Sequence, residues 1–161
     1  LNRSRNLYAI DPISEMHSVS RRKNSKKIID YETGVVEKMP YRKSYFQMIS
    51  CTYGVRNFED KKKAFSEIGR CLKKNGYFLF MEFGTPKREL LLKTYKLYLN
   101  DWLPFIGSIV AKDRHSYKYL AESIQKFPSQ QNIIKQVESA GLTHQKTIDF
   151  LSGSNLSLIH I

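Results

Sequence analysis

Short apolar runs separated by amphipathic segments make up the first half of the chain. Ser14 is the predicted N-cap of a helix that extends to about Lys23. Asp60 is expected to cap a second helix with one apolar face, which Asn75-Gly76 ends. Strands that alternate with helices at this spacing indicate βαβ units and a parallel sheet. The apolar runs predict four strands, over residues 7–10, 28–35, 46–53 and 77–83.

The second half of the chain has the periodicity of helices. Gly141 ends the last helical segment, and a final strand is predicted over residues 143–150. Helices or helical turns are predicted over residues 90–98, 103–110, 116–126 and 130–140. We therefore expect an α/β fold in one domain, with a helical insertion before its last strands.

The composition excludes several classes of protein. The 161 residues hold 27 Lys and Arg against 15 Asp and Glu, a formal net charge of +12. This charge indicates a polyanionic partner, an anionic membrane surface or simply a solvated lysine-rich surface. The basic residues follow no nucleic-acid-binding motif, so we expect no nucleic-acid partner. The longest uncharged apolar run, Trp102–Ala111, is about half of the roughly 20 residues that a spanning helix needs.

The two cysteines, Cys51 and Cys71, give no reason to expect a disulfide framework. Their spacing is also not that of a zinc site, and we expect no metal. Small buried side chains in a reducing compartment are the simpler account of both thiols.

Polar residues follow three of the predicted strands, where ligands bind in an open parallel sheet. Asp11 closes the first strand, where an acid can accept hydrogen bonds from two ribose hydroxyls; a helix N-cap is an equally good interpretation. Glu37 follows the second strand, and a solvated loop acid accounts for it as well. The third strand leads into Tyr53–Asn57, in which Gly54 lets the backbone approach a ligand. Arg56 can stabilise a developing anion there, or is a generic loop arginine.

Five segments, taken together, are more specific than any of these positions alone. They are Tyr53–Phe58 (YGVRNF), Arg70–Gly76 (RCLKKNG), Met81–Pro86 (MEFGTP), Leu103–Gly107 with Ala111–Asp113 (LPFIG and AKD), and Ser116–Ile124 (SYKYLAESI) with Phe127, Pro128 and Gln130. They resemble the ubiquinone/menaquinone biosynthesis C-methyltransferase family. The last segment is specific, because a generic methyltransferase of this fold has nothing like it. The resemblance extends from about Leu7 to Asn155.

The resemblance implies a Rossmann-like class I methyltransferase sheet and an enzyme that uses S-adenosylmethionine. Asp11 matches the acid that holds the ribose of the cofactor. The next cofactor-binding segment matches Val35, Val36 and Glu37, and Val35 replaces the polar side chain expected at the adenine edge. Thr52, at the end of the third strand, completes the expected cofactor-binding residues.

The expected substrate is a polyprenyl benzoquinol or demethylmenaquinol, methylated at a ring carbon in ubiquinone/menaquinone biosynthesis. A quinol hydroxyl loses its proton, and the ring carbon then attacks the sulfonium methyl in line. Arg56 is expected to stabilise the phenolate or the base that forms it, because its guanidinium is always charged. Tyr53 and Asn57 are expected to shape that catalytic pocket.

One predicted helix carries the expected substrate contacts. Tyr119, Glu122 and Ser123 lie at positions i, i+3 and i+4, so they can share a face and line the pocket. Tyr117 points elsewhere and is expected to pack within the protein.

The lipid substrate and the basic surface together predict peripheral membrane contact. The expected location is the bacterial cytoplasm beside the inner membrane, or the matrix side of the mitochondrial inner membrane; a homodimer is left open. Gln47 stands where the family usually has Asp. The alternative function is a non-catalytic partner in a quinone-biosynthesis complex, which Val35 and Gln47 would favour if the full-length gene also lacks the glycine-rich loop. A nucleic-acid methyltransferase of the same fold is a third possibility. It would have a catalytic Cys or an Asn-Pro-Pro-type tetrapeptide after the third strand, and Tyr53–Arg56 is neither.

Both ends of the chain carry expectations of their own. The family's first strand and glycine-rich cofactor loop are expected before Leu7 and are not among these residues. Residues 1–155 are therefore expected to be a partial methyltransferase domain, inactive as given. Leu156–Ile161 (LSLIHI) is what a transposon-end adapter of sequencing libraries encodes in frame. Residues 156–161 are thus expected to be a non-native tail, with an authentic divergent strand as the alternative.

Overall fold

The computed structural model describes residues 6–24, 28–84, 86, 89–150 and 155–160. Its strands are β1 (Leu7–Asp11), β2 (Ile29–Thr33), β3 (Phe46–Thr52), β4 (Leu72–Phe83), β5 (His144–Phe150) and β6 (Asn155–His160). Its helices are α1 (Ser14–Lys23), α2 (Lys61–Cys71), α3 (Glu89–Leu97), α4 (Leu103–Val110), α5 (Arg114–Lys126) and α6 (Gln130–Ser139). Short 3₁₀ turns follow β2 and β3, at Val36–Lys38 and Val55–Asn57, and a π-helical turn at Tyr98–Trp102 joins α3 to α4.

The strands form two sheets. β1 and β2 pair in parallel, with Asp11 opposite Thr33. The second sheet has the order β3-β4-β6-β5, in which β3 and β4 are parallel and β6 is antiparallel to both of its neighbours. The predicted α/β class and the helical insertion, α3 to α6 between β4 and β5, are confirmed.

The main core lies between α2, α6 and the sheet that contains β4. Phe65 of α2 is fully buried against Phe78 and Phe80, with ring centroids 6.2 and 6.4 Å away. Ile133 and Val137 of α6 complete the same cluster. Asp60 caps α2 as predicted, since its carboxylate accepts a hydrogen bond from the backbone of the first helical turn.

Aromatic side chains connect β1 to β3. The Tyr8 and Tyr45 hydroxyls lie 2.6 Å apart, and the Tyr8 ring meets the ring of Phe46 edge-on at 5.6 Å. The Tyr41 ring packs edge-on against the rings of Tyr8 and Phe46, and it stacks on the ring of Tyr45. These contacts join the amino-terminal ends of β1 and β3, although the two strands do not pair.

Two predicted boundaries are wrong. Ile13, rather than Ser14, precedes the first residue of α1, and its N–H donates to the Asp11 carboxylate at 2.8 Å. Asn75-Gly76 does not end α2, because the chain becomes extended at Leu72 and pairs there with Phe46. Cross-strand pairing overrides the local helix-stop signal.

Asn75-Gly76 instead shapes an irregularity within β4. Asn75 has a φ of 60°, and the Asn75 carbonyl accepts a hydrogen bond from Gln47 at 3.2 Å. A Cβ at Gly76 would lie 2.9 Å from the Lys73 carbonyl oxygen. Glycine is therefore required here for space, at a bulge where the β3–β4 register shifts.

β6 includes most of the residues predicted to be a non-native tail, 156–161. Its backbone pairs with β4 on one side and with β5 on the other. The prediction concerns the coding origin of these residues rather than their conformation, and it stays a prediction. The same holds for the expectation that residues 1–155 are a partial, inactive domain.

Among the described residues, no helix has both the length and the apolar character to cross a membrane.

We predict that Gly107→Ala destabilises the packing of α4 on α5. A Cβ built at Gly107 overlaps the ring of Tyr117, so one side chain must move. The expected loss in the free energy of unfolding is about 1 to 3 kcal/mol, measured by urea denaturation. Gly69→Ala in α2 is the matched control, because its Cβ would make ordinary contacts from 3.6 Å outward. The control should gain about 0.5 to 1 kcal/mol from helix propensity; equal effects of the two substitutions would contradict this assignment.

Candidate active site

The carboxyl end of β3 places Tyr53 in an unusual conformation. Its φ of 55° is left-handed, which costs an ordinary residue about 1 to 2 kcal/mol. The Tyr53 N–H donates to the Met81 carbonyl at 2.8 Å, and its ring stacks on Phe83 with centroids 4.5 Å apart. These contacts hold the backbone turn that delivers Arg56 to the site.

A buried ion pair joins this turn to β4. The Arg56 guanidinium contacts the Glu82 carboxylate through Nη1 and Oε1 at 2.6 Å. The Arg56 backbone N–H donates to the other carboxylate oxygen at 3.0 Å, and the Phe83 N–H donates to Oε1 at 3.1 Å. The Glu82 side chain has no solvent exposure, whereas that of Arg56 is 12% exposed. Glu82 thus positions both the backbone and the side chain of Arg56.

The Arg56 guanidinium keeps donors that these contacts do not use. Nη1 donates to Glu82 and to the Tyr53 carbonyl. Nε is buried and has no hydrogen-bond partner among the described residues. The guanidinium also lies over the Phe83 ring, 5.7 Å from its centroid. Because Nε is buried, it is closed to a ligand. Nη2, which makes no hydrogen bond with a described residue, is the donor that remains for a developing oxyanion.

Arg56 lines a cavity of about 200 Å³ between the 55–57 turn and α5. The predicted substrate residues Tyr119, Glu122 and Ser123 line it too, so the structure brings them together with Arg56 as their helical spacing indicates. The remaining lining residues are Lys61, Lys126 and Phe127. Tyr117 packs against Gly107 instead, as expected. That these side chains contact substrate stays a prediction.

Three basic side chains and one acidic side chain line this cavity. Arg56, Lys61 and Lys126 face one carboxylate, Glu122, among the lining residues. Lys61 Nζ is fixed by the carbonyl oxygens of Arg56 and Phe58, at 3.4 and 3.2 Å. Glu82 compensates the charge of Arg56, and Lys126 lies 3.9 Å from the Glu122 carboxylate.

Asn57 and Tyr119 connect the 55–57 turn to α5. The Tyr119 hydroxyl donates to the Asn57 side-chain carbonyl at 3.1 Å. Ser123 donates to the carbonyl of Leu120 within its own helix. Asn57 therefore positions the helix that carries the substrate residues, in addition to any contact with substrate.

The predicted cofactor residues lie at the carboxyl ends of the first three strands. Asp11 ends β1, and its backbone carbonyl accepts from the Gly34 N–H at 3.2 Å, next to Val35. Glu37 Oε1 accepts from the backbone N–H groups of Glu59 and Asp60, at 2.9 and 3.3 Å. Glu37 thus ties the segment after β2 to the start of α2.

The other cofactor candidates differ in exposure. The Val35 side chain is 46% exposed, and Thr52 is exposed at the end of β3. Val36 packs against the main core, so only its backbone is free to contact a ligand. Hydrogen bonds to an adenine edge would therefore come from backbone groups at these two valines.

Glu82 and Lys61 are the residues of this site that the sequence reasoning missed. Glu82 is the first charged residue in the apolar run that begins at Tyr77. A lone acid in a buried strand requires a partner, and this was the available signal. Lys61 belongs to a run of three lysines at residues 61–63, a pattern typical of the solvent-exposed first turn of a helix, so it gave no sign of a site.

Cys51 lies beside the site without the properties of a nucleophile. Burial raises the pKa of its thiol to about 11, although a hydrogen bond with the Gly54 backbone opposes the shift. A Cβ at Gly54 would lie 2.8 Å from the Cys51 sulfur, so the glycine leaves room for this side chain. A thiol kept protonated at neutral pH argues against cysteine-based methyl transfer to nucleic acid. Among the described residues, no group of three or more potential ligands is placed to bind a metal.

We predict that Glu82→Gln lowers the free energy of unfolding by about 3 to 5 kcal/mol, because it leaves the Arg56 charge buried and unpaired. Urea denaturation measures this loss. Glu89→Gln is the control, since Glu89 pairs with Lys93 at 3.2 Å on the exposed surface of α3. That change should cost less than about 1 kcal/mol. Similar losses for the two variants would show that the Glu82 contact is not a buried ion pair.

Comparisons with known proteins identify the family of this chain. The sequence profile of the ubiE/COQ5 methyltransferase family matches residues 3–160. The ubiquinone/menaquinone biosynthesis C-methyltransferase UbiE of Francisella tularensis subsp. novicida is 42% identical over 113 residues, which are 70% of this chain and 45% of that protein. The enzyme of that name from Methylococcus capsulatus is 36% identical over 149 residues, covering 88% of this chain and 60% of its own length. The chain thus spans about half the length of these curated relatives.

A solved structure supports the fold independently. The S-adenosylmethionine-dependent methyltransferase of Aquifex aeolicus superposes with a TM-score of 0.63 at 15% sequence identity. The match covers 95% of this chain and 66% of that one. The comparisons give no support to the alternative of a non-catalytic partner. The chain belongs to the ubiE/COQ5 methyltransferase family.

Proposed function

We propose that this chain carries the substrate-activating part of an S-adenosylmethionine-dependent C-methyltransferase that acts on a polyprenyl quinol. The observation that carries the proposal is the Arg56 guanidinium, fixed by buried Glu82 at the rim of a cavity. That cavity is shared with Tyr119, Glu122 and Ser123 of α5. The names of the curated relatives support a benzoquinol or naphthoquinol ring as the acceptor.

The residues at the carboxyl ends of β1 and β2 suit the cofactor. Asp11 offers a carboxylate to ribose hydroxyls while its Oδ1 accepts from Ile13. The Asp11 carbonyl accepts a hydrogen bond from the Gly34 N–H, so the backbone of Val35 and Val36 lies close to Asp11. That backbone is expected to contact the adenine edge of the cofactor. When bound, S-adenosylmethionine supplies an electrophilic methyl group on a sulfonium.

The chemistry of the cavity follows from its charges. A quinol hydroxyl bound there donates a hydrogen bond toward Glu122, which takes the proton directly or through water. The resulting phenolate is stabilised by the Arg56 guanidinium. A methyl donor held by the residues at the carboxyl ends of β1 and β2 would supply the methyl group to the activated ring carbon. The proton that this carbon then loses goes to water, and the phenolate oxygen regains the proton held by Glu122. Arg56 thus stabilises the oxyanion, and Glu122 accepts the proton.

Because such a substrate is a lipid, the proposed function also predicts contact with a membrane. We expect peripheral contact with a membrane, on the cytoplasmic face of a bacterial inner membrane or the matrix face of the mitochondrial one. The net charge of +12 supports attraction to an anionic surface.

We predict that Arg56→Lys lowers kcat for methyl transfer by about 100- to 1000-fold in a protein that contains this sequence and has the length of the curated relatives. Lysine keeps the charge but cannot donate to Glu82, to Tyr53 and to a phenolate at once. The KM for S-adenosylmethionine should change little, because Arg56 serves the acceptor. Steady-state rates with a short-chain demethylmenaquinol in detergent give both constants.

The control for this experiment is Arg70→Lys. Arg70 also pairs with a carboxylate, Glu67, at 2.7 Å, but does not line the cavity. Its kcat should stay within about twofold of the unchanged protein, as expected for a change outside the site. An Arg56→Lys variant with unchanged kcat would refute the proposed role of the guanidinium.

A further inference from the structure

The outward side of α4 is an unusual surface for a folded protein. Five large apolar side chains lie there at positions i, i+3, i+4, i+7 and i+8, each between 41% and 76% exposed. They are Trp102, Phe105, Ile106, Ile109 and Val110, and together they form the α4 face. The opposite side of the helix, with Pro104 and Gly107, is buried against α5. The helix is therefore apolar on both sides, although only one side contacts the protein.

The α4 face continues onto α3 and the turn between the helices. Leu97 and Tyr98 are 56% and 43% exposed, and Leu90 and Leu91 extend the same apolar surface toward the start of α3. No charged residue occurs from Trp102 to Ala111. A contiguous exposed apolar patch of this kind marks an interaction surface.

Positive charge flanks this surface along the sequence. Residues 89–118 contain the bases Lys93, Lys96, Lys112, Arg114 and Lys118, against the acids Glu89, Asp101 and Asp113. Glu89 is paired with Lys93, and Asp113 accepts from the backbone of Ser116 as the cap of α5. The surroundings of the α4 face therefore suit an anionic surface.

The dimensions of α4 decide how it can meet a bilayer. Its eight residues make a helix of about 12 Å, far shorter than the roughly 30 Å of the hydrocarbon core. Such a helix lies in the plane of the interface, with its apolar side toward the acyl chains. A tryptophan at one end of the face suits the headgroup boundary, where indole rings concentrate.

We infer that the α4 face docks onto a membrane containing anionic phospholipid, with Trp102 at the lipid–water boundary. This inference rests on the membrane contact expected under the proposed function, and it is independent of the methyl-transfer chemistry. Docking in this way holds the protein against the phase in which a polyprenyl quinol resides.

Trp102 is the single tryptophan of the chain and reports on its own insertion. Vesicles of 70% phosphatidylcholine and 30% phosphatidylglycerol should shift its emission to shorter wavelength, and lipids brominated on the acyl chain should quench it. The double substitution Phe105→Gln with Ile109→Gln should weaken vesicle binding by about tenfold or more, since it removes two exposed apolar anchors. Lys96→Gln with Lys112→Gln should weaken binding to these vesicles but not to neutral ones.

Met48→Gln is the matched control, because Met48 is 61% exposed on β3, away from α4. It should leave vesicle binding unchanged, and circular dichroism verifies that every variant is folded. Absence of an emission shift with vesicles, or an equal loss for Met48→Gln, overturns the inference. A shift that grows with protein concentration without lipid, together with dimers in sedimentation, also overturns it, because a second copy then covers the face. The proposed function depends on Arg56 and not on the α4 face, so vesicle binding as expected together with a kcat that Arg56→Lys leaves unchanged would count against the proposed function alone.

Discussion

The Glu82 carboxylate is the constraint on which the candidate site depends. A charge without solvent exposure is strongly destabilising unless hydrogen bonds and an opposite charge compensate it. Here two backbone N–H groups, of Arg56 and Phe83, and the Arg56 guanidinium provide that compensation. The same contacts fix the conformation of the 55–57 turn. The contacts that compensate the buried charge are consequently the same contacts that place the reactive guanidinium.

The geometry of β4 explains why this carboxylate lies where the core ends. Side chains two residues apart on a strand point to the same face, so Glu82 follows Phe78 and Phe80 on the side covered by α2. The core is apolar at the first two of these positions and becomes polar at the third, next to the carboxyl end of the sheet. In open α/β sheets, ligands bind at that end. Along this face of β4, two core residues, Phe78 and Phe80, are thus followed directly by the residue that positions Arg56, Glu82.

The local pattern of the sequence was sufficient for most elements and for part of the site. Helical spacing predicted that Tyr119, Glu122 and Ser123 share a face, and they line one cavity. Glu82 was not connected to Arg56, because the two are 26 residues apart and only the pairing of β3 with β4 brings them together. The helix stop expected at Asn75-Gly76 failed for the same reason, since Leu72 pairs with Phe46 and turns the chain into a strand. Long-range pairing is the information that a single sequence does not display.

The central claim is that Arg56 and Glu82 act as one unit, and a double-mutant cycle tests it most directly. Free energies of unfolding are measured by urea denaturation for the unchanged chain, for Arg56→Gln, for Glu82→Gln and for the double variant. A buried, mutually dependent pair predicts a coupling energy of at least about 2 kcal/mol, because the second substitution removes the charge that the first left unpaired. Losses that add to within about 0.5 kcal/mol would contradict the account.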